Sequence, residues 1–341
     1  MASDEFDIIR RFFNSGEIAF PIPEVGLGIG DDCALLRPAT GMQLAMSMDI
    51  LQEGVHFLPD ADPYLLGKRT LLVNLSDLAA MGARPLCFTL GLCLPAADEV
   101  WLGSFSKGLA QVAREHNCPL IGGDLSASSP VHGSKTLCVQ VHGELPVDSG
   151  LRRSGAKVGD LIYVTGSLGD AAAGLQVLSN TCKESLNEEH RAALVDAFFV
   201  PESRIEAGLM LRSLATSCID LSDGLASDLV HILRASAVGA SIALDALPLS
   251  VAVRAAHNEA EQRQLAISGG DDYELCFTVG SKNEEAMQRA LGSIGVPVTR
   301  IGIITEGTQV QWCEFGEPIA LEASGYKHFH AASEDLVQVT H

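Results

Sequence analysis

The sequence predicts an α/β (α+β) protein of two domains, and three observations carry that prediction. Apolar strand-like runs alternate with helical ones along the chain. Its 341 residues exceed the roughly 250–300 at which single cores stop growing. The stretch from Leu145 to Asp160, with Pro146, Arg152, Arg153, Lys157 and three glycines, interrupts the alternation and reads as a linker. One domain is therefore expected over 1–147 and a second over 148–341. Hydrophobic residues at 47% against 19% charged give both enough apolar mass for a core and exclude a disordered chain.

In chain order, Ser3 can cap a short helix with Phe6, Ile9 and Phe13 on one face, ending at Asn14-Ser15-Gly16. A Gly-rich segment, Gly26 to Cys33, leads to an alternating stretch from Gln43 to Met48 that reads as a strand ending at Asp49. Pro63 to Met81 is helical, with Leu65, Leu66, Leu72, Val73 and Leu75 turned inward and Gly82 and Pro85 as the stop. A strand at Cys87–Leu94, a helix at Asp98–His116 and strands at Leu120–Ile121 and Thr136–Val141 complete the first half.

The second half opens with a buried strand, Leu161–Thr165, then Gly166-Ser-Leu-Gly-Asp170 and an Ala-rich helix. Helix Glu202–Leu214, strand Cys218–Ile219, helix Gly224–Ala235 and strand Ser241–Leu244 follow. A helix at Val251–Gln264, a strand at Tyr273–Val279, a helix at Asn283–Ile294 and two late strands end the pattern.

A formal net charge of -20 repels nucleic-acid phosphates and anionic lipid, so neither is an expected partner. None of the nine cysteines form Cys-x-x-Cys. Cys87, Cys93, Cys138 and Cys276 lie in apolar runs and read as reduced core thiols. The first residues lack the basic start and apolar stretch of a signal peptide, and no run of about 18 apolar residues occurs, so the expected location is the cytoplasm.

Most of the 43 acids are expected to solvate the surface, but a subset sits in unusual places. Five apolar runs end in turns of Gly or Ser with Asp: Gly30-Asp31-Asp32, Gly122-Gly123-Asp124, Gly166 to Asp170, Asp220-Leu-Ser-Asp223-Gly224 and Gly269-Gly270-Asp271-Asp272. Asp49 and Asp77 extend the set. One such pair is ordinary turn chemistry, because Gly supplies positive φ and Asp bonds its own backbone. As a set they mark ligand-binding strand ends, where glycine lets polyphosphate approach the backbone. Unit charges about 4 Å apart interact by roughly 4 kcal/mol at an effective dielectric near 20, so clustered Asp beside phosphates requires a counter-cation. Mg²⁺ fits, being hard, oxygen-seeking and used to join carboxylates to phosphate.

Rival motifs fail. Around Gly67-Lys68-Arg69, Asp62 replaces the first Gly of a phosphate-binding loop and Arg69 its Ser or Thr. Gly26-Leu-Gly-Ile-Gly has the wrong dinucleotide-loop spacing, no calcium-hand loop occurs, and His132 and His142 are isolated.

Gly28-Ile-Gly-Asp-Asp-Cys-Ala34, Val73-Asn-Leu-Ser-Asp-Leu-Ala-Ala-Met-Gly82, Leu120-Ile-Gly-Gly-Asp124, Arg153-Ser-Gly-Ala-Lys157, Ile219-Asp-Leu-Ser-Asp-Gly224 and Ser268-Gly-Gly-Asp-Asp-Tyr-Glu-Leu275 resemble, in order, the motifs of the thiamine-monophosphate kinase family. The resemblance spans about Glu5 to Phe329. It implies a fold shared with aminoimidazole ribonucleotide synthetase and selenophosphate synthetase: a homodimer whose N-terminal domains build a β-barrel, a C-terminal α/β sandwich, and ATP between the domains. The implied reaction converts ATP and thiamine monophosphate to ADP and thiamine diphosphate.

By the same resemblance, Asp32, Asp49, Asp77, Asp124, Asp220 and Asp223 are Mg²⁺ ligands, with Ser47 and the Met48 backbone assisting. Gly123, Asp124, Arg153 and Ser222 hold the nucleotide, and His56 and Asp271 meet the substrate. Two positions depart from the family. Asp271 replaces a glutamate, and Ala323 replaces an aromatic residue that packs on thiamine, a role Tyr326 or Phe329 could take. In-line transfer to an already anionic phosphate oxygen needs positioning and charge neutralisation, not a general base. Competing readings are another ATP-dependent synthetase of this superfamily, a metal-dependent phosphohydrolase, and an acidic binding protein.

Overall fold

The computed structural model describes residues 5–129, 133–182 and 186–321. The expected cap at Ser3, His132, and Ala323, Tyr326 and Phe329 lie outside the described residues.

Chain order begins with Glu5–Ile8 (α1), which runs into a π-helical turn at Ile9–Phe13. That turn changes the face: Ile8 and Phe13 are buried, while Phe6, expected inward, is 70% exposed. Val25–Leu27 (β1) pairs with Leu35–Leu36 (β2). Met42–Gln52 (β3), Pro63–Met81 (α2), Arg84–Leu94 (β4), Glu99–Glu115 (α3), Leu120–Ala127 (β5) and Thr136–Pro146 (β6) complete the first half. Its sheet runs β3-β6-β4-β5, parallel only between β4 and β5, which α3 connects as a crossover.

The second half comprises Leu161–Thr165 (β7), Asp170–Leu178 (α4), Glu188–Phe199 (α5), Ile205–Leu211 (α6), Ala215–Asp220 (β8), Leu225–Ser236 (α7) and Gly239–Ala243 (β9). Val251–Ala256 (α8), Glu259–Ser268 (α9), Leu275–Val279 (β10), Glu284–Ser293 (α10), Val298–Thr305 (β11), Val310–Glu314 (β12) and Glu317–Ile319 (β13) follow. These strands form one sheet, β13-β12-β9-β11-β7-β10-β8, in which only β9 and β12 pair parallel. The fold is therefore mixed α/β with mainly antiparallel sheets.

Helix α2 is the central element. Asp62 caps it by accepting from the Leu65 amide at 3.0 Å, Pro63 occupies its first turn, and Gly82 ends it in the left-handed conformation at φ 64°. It is buried almost all round because it is walled by the first sheet, α3, α6 and β8. At Gly67 an added Cβ would stand 2.2 Å from the Phe105 carbonyl oxygen, so glycine is what lets α2 and α3 cross closely. β7 is buried on both faces: Leu161 and Tyr163 join the core continuous with α2, and Ile162 and Val164 join a second core under α7.

Several elements depart from the sequence pattern. β5 runs on to Ala127, so Gly122-Gly123-Asp124, expected as a turn at a strand's end, lies within the strand and pairs with β4. Asn258 caps α9 with a reciprocal Glu261 bond, which splits the expected single helix at His257. Helix α5, capped by Asn187, was not anticipated. β3 continues three residues past Asp49, so that acid lies within a strand instead of at its end.

Candidate functional site

Along β3 the side chains alternate. Ala45, Ser47, Asp49 and Leu51 turn toward α2, and Leu44, Met46, Met48 and Ile50 are exposed. Asp77 and Ser76 are adjacent on α2, and Asp220 ends β8. Ser47 donates to Asp77, and Ser76 Oγ donates to Asp220 Oδ2 at 2.7 Å. The Asp49 amide donates to Asn74 Oδ1 at 3.1 Å, tying β3 to the same helix face. Three carboxylates from two sheets and one helix thus meet in the middle of the molecule.

Two clefts open from this meeting point. One, about 980 Å³, is lined by Met48, Asp49, His56, Arg69, Asp77, Asp220, Ser222, Asp223, Asp271 and Tyr273, among others. The other, about 630 Å³, is lined by Ser47, Asp77, Arg153, Cys218 and Asp220, among others. Asp77 and Asp220 border both.

The loops are held from behind. Asp223 receives its place from Asp228, which accepts from the Asp223 amide at 3.0 Å and is itself buried in the first turn of α7. The 269–273 loop runs along 221–222, the Asp271 amide donating to the Ser222 carbonyl and the Tyr273 amide to that of Leu221, each at 2.8 Å. His56 Nδ1 accepts from the Gln52 amide at 3.1 Å, so in the neutral ring Nε2 carries the proton.

The electrostatics register the crowding. Burial, then the charges of Asp77, Asp220 and Asp223, push the Asp49 carboxyl up to about 7. Burial also raises Asp77, offset by the Ser47 hydrogen bond and by Arg153. Asp220 is raised by burial and then by Asp77, against the Ser76 bond and Arg153. Buried acids raised in this way cluster at functional sites. Among the described residues no three acids, cysteines or histidines are drawn close enough to form a metal cage by themselves. The donor set fits Mg²⁺, which keeps waters and takes one or two carboxylates together with substrate phosphate, better than an ion needing a complete protein shell.

Not every expected residue joins. Asp32 stands exposed in the turn between β1 and β2. β5 is the opposite edge of the sheet from β3, about 14 Å away at the usual ~4.8 Å strand spacing. Ile50, Cys138, Gly91 and Asp124 form one row across that sheet, and Asp49, Val139, Leu90 and Gly123 form the next. Asp124 therefore projects from the open face, away from Asp49. Gly123 has a packing reason of its own, since a Cβ there would meet the Leu90 carbonyl oxygen at 1.9 Å.

Arg69 and Tyr273 line the larger cleft without having been singled out for it. For Arg69 the signal was available: Arg69, Val73 and Asp77 recur at helical spacing on one face of α2.

Residues 30–145 match the family model of AIR synthase related protein, N-terminal domain, and residues 157–312 match that of its C-terminal domain. The thiamine-monophosphate kinase of Escherichia coli (strain K12) is 47% identical over 331 residues, covering 96% of this chain and 99% of that one. The chain belongs to the thiamine-monophosphate kinase family. The crystal structure of the thiamine-monophosphate kinase from Stenotrophomonas maltophilia K279a matches at TM-score 0.80 and 40% identity, over 87% of this chain and 93% of that chain. A structure of AaThiL complexed with AMPPCP and TMP matches at TM-score 0.73 and 29% identity, over 86% and 89%. Within this family, the paired clefts here present one large acid-lined space and one smaller space bearing Arg153.

Proposed function

We propose that this chain is a thiamine-monophosphate kinase that moves the γ-phosphoryl group of ATP to thiamine monophosphate, with the transfer point at the wall formed by Asp77 and Asp220. The observation that carries the reading is that these two acids border both clefts, so donor and acceptor can approach one line from opposite sides. Arg153 holds the nucleotide in the smaller cleft, Ser222 faces it across the Asp77–Asp220 wall from the larger one, and Gly123 and Asp124, on the far strand, would join only from a second copy. His56 and Asp271 meet the acceptor, joined by position 323, where Ala323 offers no ring. Asp49, Asp77, Asp220 and Asp223, with Ser47 and the Met48 carbonyl, form the Mg²⁺ set within this chain, and Asp32 and Asp124, which its fold holds apart from them, would complete it only from a second copy.

When bound, Mg²⁺ supplies charge neutralisation between carboxylates and phosphates. The chain's own residues position the reactants: the acceptor phosphate is already an anionic nucleophile, and Arg153 offsets charge in the smaller cleft.

The two-domain division, 1–147 and 148–341, accords with the four-stranded sheet and the small β1–β2 pair lying in the first part and the seven-stranded sheet in the second. A homodimer accords with the first sheet's open face. Leu44, Met46, Met48 and Ile50 are 39%, 61%, 55% and 51% exposed in a stripe on an edge strand, which isolated proteins avoid. A second copy packed there, closing a barrel, would bring its own Asp124 to the carboxylates that this chain's Asp124 cannot reach. Met46→Arg is expected to give a monomer by sedimentation and to lose most activity. A monomer of full activity would refute the shared site. No helix among the described residues is long and apolar enough to cross a membrane.

The direct test is coupled ADP release with thiamine monophosphate, thiamine or an aminoimidazole precursor, with and without Mg²⁺. Turnover is expected with thiamine monophosphate and Mg²⁺ alone. Turnover with the aminoimidazole precursor instead would favour a synthetase, and phosphate release without ATP a phosphohydrolase.

A further inference from the structure

Five acids line the larger cleft: Asp49, Asp77, Asp220, Asp223 and Asp271. Only Asp271, among the described residues, has an ion-pair partner within 4 Å, Arg69 Nη2 at 2.6 Å. Arg69 is unusual for a surface-cleft cation. It is 1% exposed, Nη1 donates to the Phe198 carbonyl oxygen, and the guanidinium carbon lies 4.1 Å from the centre of the Phe198 ring and 5.9 Å from that of Tyr273. Its Nε is buried without a partner. A buried arginine with an orphaned donor is a poor way to stabilise a fold.

The geometry points to Arg69 as a positioning residue for acceptor binding, one that withdraws Asp271 from the cation-binding acids and holds its carboxylate for the organic part of the substrate. This rests on the kinase reading above. Arg69 and Asp77 are eight residues apart on α2, about 12 Å at 1.5 Å per residue, so the cleft floor has a cation-clamped acid at one end and the transfer point at the other.

Both Arg69 Nη2 and the Tyr273 hydroxyl, at 3.2 Å, engage Asp271 Oδ1. Oδ2 has no protein donor among the described residues. It is an acceptor for an N–H group on the substrate's heterocycle, its carboxylate placed by one N–H of a guanidinium whose other Nη is anchored on the Phe198 carbonyl. The backbone needs the clamp too: Asp271 and Tyr273 both adopt left-handed φ, 70° and 51°, although neither is glycine. Asp271 is one methylene shorter than the family's glutamate, and the ion pair sets where that shorter carboxylate sits.

The test uses full-length Arg69→Lys, Asp271→Asn and the double variant, with KM for thiamine monophosphate, KM for ATP and kcat measured separately, and melting temperature as a folding control. Arg69→Lys keeps the charge and loses the fork. It is expected to raise KM for thiamine monophosphate about tenfold, leaving kcat and KM for ATP within about threefold. Asp271→Asn is expected to do the same, and the double variant no more than either, because one residue acts through the other. A purely structural Arg69 would lower the melting temperature and the active fraction without changing KM, and that result overturns the proposal. So does an Asp271→Asn enzyme with wild-type KM, which decides the matter even if Arg69→Lys fails to fold. Wild-type protein without ADP release would overturn the kinase reading and the proposal with it, whereas unchanged KM in active variants overturns the proposal alone.

Discussion

Asp220→Asn is expected to lower kcat by on the order of 10²–10³-fold while the protein stays folded. The substitution keeps the shape and an acceptor for Ser76 Oγ, so the tie between β8 and α2 survives. It removes one of two charges that border both clefts. Burial already disfavours that charge, and Asp77 disfavours it further, so the metal-free variant should melt no lower than wild type. Asp77→Asn is expected to behave alike, and the pair to be far from additive because they act as one wall. Turnover at saturating ATP and Mg²⁺, with circular dichroism melting, checks both parts. Wild-type kcat in Asp220→Asn would remove the transfer point from this wall.

The second large effect is on stability, through protons and cations. An ordinary aspartate titrates near 4 in the unfolded chain, whereas Asp49 is held up to about 7 and Asp77 and Asp220 are raised as well. Between those limits the native state binds more protons than the unfolded state, so stability falls with rising pH. The contribution is complete below about pH 4 and is lost as pH passes through the folded values, up to about 7. Mg²⁺ can replace the protons as countercharge. In EDTA the protein is therefore expected to melt lower at pH 8 than at pH 6, and the gain on adding Mg²⁺ to be larger at pH 8, by at least about 2–4 °C.

His116, His142 and His231, lowered mainly by burial, act in the opposite direction below about pH 6.5, as native sites that resist protonation. Asp228, raised to about 7 by burial, adds to the carboxylate trend without touching the clefts. Comparing Mg²⁺ with EDTA at each pH cancels the histidines, whereas Asp228, which accepts from the Asp223 amide, titrates with the cluster. A magnesium effect equal at pH 6 and pH 8 would mean that the acid cluster is not where the cation acts.

Local chemistry explains which elements were legible. Helix α2 carries its own start and stop in Asp62, Pro63 and Gly82, and its predicted bounds, Pro63 to Met81, agree with the structure. Strand β7 is a short apolar run between glycines and also agrees. The helix over Val251–Gln264 was misread because apolar periodicity carries through a break that the Asn258 cap imposes. Strand direction was hidden altogether, since alternating elements are compatible with parallel and antiparallel sheets. The motif residues were legible as a set, but their partition was not: Asp49, Asp77 and Asp220 converge, while Asp124 lies across the sheet on its other face.

The amino-acid sequence by itself determined the mixed α/β class and the acid and glycine motifs in family order, because these follow from residue type and near-neighbour spacing. Only the tertiary structure decided that Asp77 and Asp220 divide two clefts, that Asp124 is out of reach within one chain, and that Arg69 grips Asp271 across 202 positions. Those are facts of strand register and helix placement. They arise when distant segments bury their apolar faces together, and no local pattern encodes the distances that result.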